Sequence, residues 1–417
     1  MASDAKVTSE VRKSCPVLAI VAPGQGAQTP GFLSPWLAEP RFADRLNWLS
    51  TVSGIDLAHY GTEADAETIR DTAIAQPLLV AAGLLAAWEL FPQPVDGFQR
   101  TGVVAGHSVG EITAAAAVGV LSAEQAMVFV RERGRQMAAA SAARPTSMMA
   151  VIGGDPEEVL AAIAAQGLTA ANNNGSGQIV AAGTVEQLAA LQANPPAKAR
   201  LIQLSVAGAF HTVHMEPAVA HLDRLSRAIT TNDPYTRLLS NADGQVVQSG
   251  QTYLKRLVNQ VANPVRWDLC LQTMSDLGVT GLLELPPAGT LTGIAKRNLK
   301  GIELFSLNTP DQLSAAQEFV AKHGADSVDA LASTPSSMLL VSPGKGEFHA
   351  AEGIDVGTHL GADQPVGVVS NPSDQMTVNT SHPGTITEWL VDDGDHVAPG
   401  QPLIRLYPTH DSAGATS

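Results

Sequence analysis

Five residues, Gly106-His107-Ser108-Val109-Gly110, constrain this chain more than any other stretch. An apolar run from Thr101 to Ala105 enters them, and a helical pattern from Glu111 to Leu121 leaves them. A strand that turns sharply into a helix sets the central serine at the apex, with its hydroxyl exposed and the helix N-terminus beside it. Glycine on either side removes the β-carbons that so tight a turn would crowd. Ser108 is therefore a candidate nucleophile in an α/β fold. The competing reading is a structural strand-to-helix turn.

A serine hydroxyl attacks poorly until a base takes its proton. The best-placed candidate base is His211, which ends Val206-Ala207-Gly208-Ala209-Phe210-His211. His107 adjoins Ser108 but points elsewhere from a tight turn, and His214 is a weaker rival. The group that orients the histidine stays open between Asp243, Asp268 and a backbone carbonyl. A second glycine-rich turn, Pro23-Gly24-Gln25-Gly26-Ala27-Gln28, has neither the lysine-serine pair nor the GxGxxG of a nucleotide loop. It remains a turn that brings backbone amides close to a ligand.

The chain has 417 residues and a net charge of −15, which argues against a general nucleic-acid surface. Two cysteines, Cys15 and Cys270, provide neither a disulfide framework nor a metal cluster, and a reducing cytoplasm is the simplest compartment. The apolar stretch Pro77 to Leu90 is interrupted by Glu89 and is too short to span a bilayer, so no membrane partner is expected. Residues 30–100 read mostly helical, with Pro77 at a helix start. Strand patterns at Met148–Ile152, Leu168–Ala171, Gln178–Ala182 and Ala199–Val206 alternate with helices in a β-α-β-β-α-β order, which predicts a ferredoxin-like insertion. Further strands are expected near Leu238 and over Gly281–Leu285.

Beyond Met338 the chain changes to short strands and many glycines, with a weak internal repeat. Ser342-Pro343-Gly344 recurs as Ser381-His382-Pro383-Gly384, and Gln364-Pro365-Val366 as Gln401-Pro402-Leu403. Two similar halves of this size predict a small quasi-symmetric β barrel or sandwich.

Taken in order, several short stretches resemble the malonyl-CoA:acyl carrier protein transacylases and the acyltransferase domains of polyketide synthases. They are the Pro23–Gln28 turn, Ala75-Gln76-Pro77, Gly106–Glu111, Arg133-Gly134 before Met137, and Ala209-Phe210-His211 with Met215-Glu216-Pro217. Asn263-Pro264-Val265-Arg266-Trp267 and Leu291-Thr292-Gly293 complete the series. Leu285-Pro286-Pro287-Ala288-Gly289 departs from it, since the family more often shows Gly-Pro-Gly there. The resemblance implies an α/β-hydrolase-like acyltransferase core over residues 17–310, with a ferredoxin-like subdomain at about 147–210. A tail at 1–16 would precede the core, and a linker at 311–336 would follow it.

The same resemblance implies roles. Ser108 attacks the thioester of malonyl-CoA, and His211 serves as base and then as acid. The backbone amides of Gln25 and Val109 form the oxyanion hole. The backbone carbonyl of Gln260 orients the histidine. Arg133 grips the free malonyl carboxylate in a bidentate fork, unlike its solvated neighbours Arg131 and Arg135. Phe210, before the histidine, goes with malonyl rather than methylmalonyl units. The partners would be malonyl-CoA and an acyl carrier protein of fatty acid or polyketide synthesis, with no metal. A serine hydrolase or esterase on the same elbow, and a scaffold acting through the C-terminal barrel, are the rival readings.

Residues 337–409, before a tail at 410–417, resemble a biotinyl/lipoyl carrier domain through Gly394-Asp395-His396-Val397 and Pro399-Gly400-Gln401-Pro402-Leu403. Such domains carry their cofactor on a hairpin lysine. The corresponding hairpin here reads Ser373-Asp374-Gln375-Met376-Thr377, and no lysine follows Lys345. Neither biotin nor lipoyl attachment is expected. The domain is left for docking, including to other synthase components, or for stability.

Overall fold

The computed structural model describes residues 16–91, 100–206, 208–324, 338–371, 374–380 and 383–408. Residues 1–15 of the expected first tail, Cys15 among them, the tail at 410–417, and residues 325–336 of the expected linker lie outside those residues. The chain divides into two compact units, Met1–Ser327 and Val328–Ser417.

In the first unit, strand β1 (Leu18–Ala22) precedes helices α1 (Pro40–Ser53), α2 (Leu57–Thr62) and α3 (Thr72–Leu90). Strand β2 (Val103–Gly106) then runs into α4 (Gly110–Ala117) and α5 (Ala123–Ala142). Helix α3 begins at Thr72 because the Asp71 carboxylate accepts the Ala73 N–H at 2.8 Å. Pro77 therefore sits inside α3 and not at its start, because the capping aspartate sets the boundary upstream of it. Helix α3 is also the one described helix long and apolar enough to cross a membrane. It is apolar on nearly every side because the first unit encloses it: Leu78 through Ala87 are all buried.

A β-α-β-β-α-β segment follows: β3 (Thr146–Gly153), α6 (Pro156–Ala165), β4 (Thr169–Asn173), β5 (Gln178–Thr184), α7 (Val185–Ala193) and β6 (Ala199–Gln203). After it come α8 (Glu216–Ser226), α9 (Gly250–Gln260), β7 (Val265–Arg266), α10 (Trp267–Asp276), β8 (Gly281–Glu284), α11 (Thr290–Asn298), β9 (Glu303–Ser306) and α12 (Leu313–His323).

The main sheet has order β2-β1-β8-β9 and is wholly parallel. Strands β2, β1 and β8 are buried along their length, as a sheet covered on both faces requires. The second sheet runs β6-β3-β5-β4-β7; β3, β4, β5 and β6 pair antiparallel, and the distant strand β7 adds in parallel to β4. The strand expected near Leu238 is only an isolated bridge from Val104 to Leu238. The expected linker also starts later than 311. Helix α12 buries Ala316, Phe319, Val320 and His323, the first three in the main core, so the first unit continues to at least His323.

The second unit comprises β10 (Met338–Val341), β11 (Gly346–Ala350), β12 (His359–Leu360), β13 (Pro365–Asn371), β14 (Asp374–Asn379), β15 (Gly384–Trp389), β16 (His396–Val397) and β17 (Pro402–Pro408). One sheet has order β10-β17-β15-β12 and the other β14-β13-β11-β16. Exchanging β10–β13 with β14–β17 converts one order into the other, so the sequence repeat is a structural two-fold. The repeated glutamines do the same work in both halves: Gln364 accepts the Gly361 N–H at 2.9 Å and Gln401 the Ala398 N–H at 3.0 Å. Phe348, Val366, Val369, Leu403 and Ile404 anchor a core of this unit's own. The β13–β14 hairpin pairs Asn371 with Asp374 and Ser370 with Gln375. Gln375 is thus a residue of strand β14 and not the hairpin tip, because the pairing closes two residues earlier than the Ser373–Thr377 reading placed it.

Candidate active site

The turn around Ser108 is fixed by contacts that leave no room for side chains at Gly106 and Gly110. A β-carbon on Gly106 would collide with the Gly110 backbone, and one on Gly110 with the Ala22 carbonyl of β1. Ser108 takes a positive φ of 55°, a region that disfavours side chains other than glycine. Asn241 holds it there. Its Oδ1 accepts the Ser108 N–H at 2.8 Å, and its Nδ2 donates to the Gly106 carbonyl at 2.8 Å.

His211, at φ 61°, is the second strained residue of the site. Its Nδ1 lies 2.8 Å from the Gln260 backbone carbonyl, which can only accept, so Nδ1 carries the proton. Nε2 is then the acceptor for the Ser108 hydroxyl at 2.7 Å. Burial foremost, then the Arg133 charge, push the imidazole down from 6.5 to about 3, which keeps it neutral and ready to accept a proton. The carbonyl settles the third member left open by the sequence. Asp243 pairs with Arg256 at 2.6 Å and Asp268 with Arg266 at 2.8 Å. His107 turns away to Asn174 Oδ1 at 2.9 Å.

Arg133 reaches the same place from α5. Gly134 makes this possible, since a β-carbon there would press on the Thr72 carbonyl at 2.8 Å and hold α5 off the start of α3. Arg133 is 1% exposed. It donates to Gln76 Oε1 and Gln260 Oε1, both at 2.7 Å, and to Ser108 Oγ at 3.4 Å. No carboxylate lies within ion-pair distance among the described residues. Arg131 instead pairs with Glu132 at 3.0 Å, and the Arg135 side chain is 64% exposed. Burial lowers Arg133 to about 10, so it stays charged at neutral pH.

The Pro23–Gln28 turn abuts the elbow, because a β-carbon on Gly24 would meet the His107 carbonyl at 2.8 Å. Val109 is the N-cap of α4. Neither the Gln25 nor the Val109 main-chain N–H donates to another described residue, while the Gln25 side-chain amide donates to Thr72 Oγ1 at 3.2 Å. Phe210 is buried and belongs to the main core cluster. Among the described residues no group of His, Cys, Asp or Glu is arranged to hold a metal.

Four residues carry no role in the sequence reading but belong to this network: Gln76, Glu111, Asn174 and Asn241. Glu111 leaves one legible signal, a carboxylate in the first turn of an otherwise apolar helix. Asn174 and Asn241 are distant loop residues that only the fold brings in.

The pattern of the family described as acyl transferase domain matches residues 20–321. The chain belongs to the acyl transferase family. This acyl transferase is 49% identical over 297 residues to the malonyl CoA-acyl carrier protein transacylase of Mycobacterium tuberculosis H37Rv, covering 71% of this chain and 98% of that protein. It is 33% identical over 308 residues to the enzyme of the same name from Escherichia coli K12, covering 72% and 98%. The crystal structure of MCAT from Mycobacterium tuberculosis superposes with a TM-score of 0.70 at 48% identity, covering 72% of this chain and 99% of that one. A malonyl-transacylase solved in complex with a type II polyketide synthase acyl carrier protein gives 0.67 at 31% identity, covering 72% and 99%. The acyl transferase match ends before the second unit begins.

Proposed function

We propose that the chain moves a malonyl group from malonyl-CoA to the phosphopantetheine thiol of an acyl carrier protein through a malonyl-Ser108 intermediate. The observation that carries this is the buried, charged Arg133 beside the Ser108–His211 pair, with neutral glutamine oxygens for partners and donors left over. A guanidinium so placed suits an acyl group that ends in a carboxylate. A plain esterase has no use for it.

In the first half-reaction His211 Nε2 takes the Ser108 proton as Oγ bonds to the thioester carbon. The Gln25 and Val109 amides receive the oxyanion. Its collapse breaks the carbon–sulfur bond, and the coenzyme A thiolate leaves with the proton from His211. In the second half the carrier thiol gives its proton to His211, attacks the malonyl-serine and restores the Ser108 hydroxyl. Phe210 limits the space beside the acyl C2 and favours malonyl over methylmalonyl. The antiparallel segment from β3 to β6 is read as the ferredoxin-like subdomain. The cytoplasm, where both substrates would be met, is the proposed compartment.

The second unit is read as a biotinyl/lipoyl-like domain that carries neither cofactor and serves docking. Intact-mass analysis of the protein mixed with malonyl-CoA tests the central claim. A malonyl mass increment that maps to Ser108 and vanishes in Ser108→Ala supports it; an increment on another residue overturns it.

A further inference from the structure

The steps above leave one buried carboxylate unused. Glu111 lies three residues after Ser108, in the first turn of α4, and is 1% exposed. Its Oε1 accepts the Asn241 main-chain N–H at 2.6 Å and the Tyr253 hydroxyl at 3.3 Å. Its Oε2 accepts from the side-chain amide of Gln260. Two of these neighbours, the Asn241 N–H and the Gln260 amide N–H₂, can only donate, while the Tyr253 hydroxyl is shared with the Leu239 carbonyl at 3.1 Å, so the cage suits an ionised carboxylate, which only accepts.

Gln260 is held at both ends of its carboxamide. Nε2 donates to Glu111 and, at 3.0 Å, to the Ser108 carbonyl, while Oε1 accepts from Arg133 Nη2 at 2.7 Å. A carboxamide can turn over, exchanging its oxygen and nitrogen, unless its neighbours distinguish the two ends. Here one neighbour only accepts and the other only donates, so a single orientation satisfies both. The arrangement also keeps the counter-charge of Arg133 one amide away from it. A carboxylate in direct contact would occupy the donors that a substrate needs.

We propose that Glu111 is a positioning residue that acts through Gln260, holding the carboxamide oxygen on Arg133 and so aiming the guanidinium at the carboxylate of a dicarboxylic acyl group. The proposal rests on the reading of Arg133 as the anchor for that carboxylate. Glu111→Gln keeps the shape but introduces an N–H₂ that must face either the Asn241 N–H or the Gln260 amide. Turning Gln260 over relieves this clash and sets its own N–H₂ against Arg133.

The test is acylation of the full-length protein at mildly alkaline pH, with malonyl-CoA and acetyl-CoA compared in wild type, Glu111→Gln and Arg133→Ala. Glu111→Gln is expected to lower kcat/KM for malonyl loading by about ten-fold or more, the size of one misdirected hydrogen bond to a charged group. Acetyl loading should change by less than about three-fold. Equal losses for both acyl groups would mark Glu111 as merely structural, and an unchanged malonyl-to-acetyl ratio would remove its role; either result overturns the proposal. Should Glu111→Gln fail to fold, Glu111→Asp keeps the charge and shortens its reach, and the ratio must again fall. If Arg133→Ala depresses both acyl groups alike, the anchor reading fails and carries this proposal with it. If Arg133→Ala shifts the ratio and Glu111→Gln does not, this proposal alone is lost.

Discussion

The imidazole of His211 and the main chain of Gln260 meet at 2.8 Å, Nδ1–H to carbonyl oxygen. The proposed base, His211, is therefore oriented by backbone and not by a carboxylate. Replacing either aspartate that the sequence offered should leave the base intact. Asp243→Asn and Asp268→Asn are expected to keep malonyl transfer within about three-fold of wild type, since each carboxylate serves only a half-exposed ion pair or hydrogen bond. A steady-state assay checks this; a hundred-fold loss in either variant would restore an acidic third member.

Arg133→Ala removes the guanidinium that lies 3.4 Å from the hydroxyl of Ser108, the proposed nucleophile. Its effect on malonyl loading should be large, on the order of 3–5 kcal/mol, as when one partner of a buried charged pair is deleted. Acetyl loading should suffer much less, having no carboxylate to bind. Single-turnover acylation with the two thioesters measures the difference, and equal losses would point to a packing role.

Phe210 is buried beside the base. Phe210→Ser should open space next to the acyl chain and raise the methylmalonyl-to-malonyl ratio of kcat/KM, by up to about 10–200-fold if a single methyl is what the ring excludes. An unchanged ratio in a competition assay would mean that the ring packs the core without lining the pocket.

Two buried groups should give stability opposite pH dependences. Burial raises Glu111 from 4.5 to about 7, so in that window the native state holds a proton that the unfolded chain has released, and stability falls as pH rises. Burial lowers His211 from 6.5 to about 3, so there the unfolded chain holds the extra proton and stability rises with pH. Relative to wild type, Glu111→Gln should therefore gain stability between about pH 5 and 7.5, and His211→Asn should lose it between about pH 4 and 6.5. Urea unfolding across that range reads both slopes; parallel curves for a variant and wild type would contradict the corresponding shift.

The second unit has a hydrophobic core of its own, and every proposed catalytic residue lies in the first. A chain ending at residue 336 is expected to transfer malonyl to a free carrier protein at near the full-length rate. The full-length protein, produced together with biotin- and lipoyl-attaching ligases, is expected to show no added cofactor mass. A biotin or lipoyl increment, or a folded but inactive truncation, would contradict one or the other expectation.

The sequence by itself determined the local parts of this protein. The glycines around Ser108 announce the elbow because only a chain without β-carbons passes so close to β1. The β-α-β-β-α-β order was legible because the alternating strand and helix patterns act over a few residues. The two-fold of the second unit was legible because repeated residues repeat a turn. Pro77 and the start of the linker were misread for the converse reason. A helix boundary there is set by one capping side chain or by burial against a distant core, and neither shows in local periodicity.

Only the tertiary structure decided which groups meet. Asn241 stands 133 positions from Ser108, and Gln260 stands 127 from Arg133, yet each pair is in hydrogen-bond contact. No spacing rule links such residues, because their separation depends on how the parallel sheet and its helices close around them. The same closure buries Arg133 and Glu111 and moves their proton affinities. Glu111, in plain view beside the nucleophile, thus acquires a role only when the fold sets Gln260 between it and Arg133.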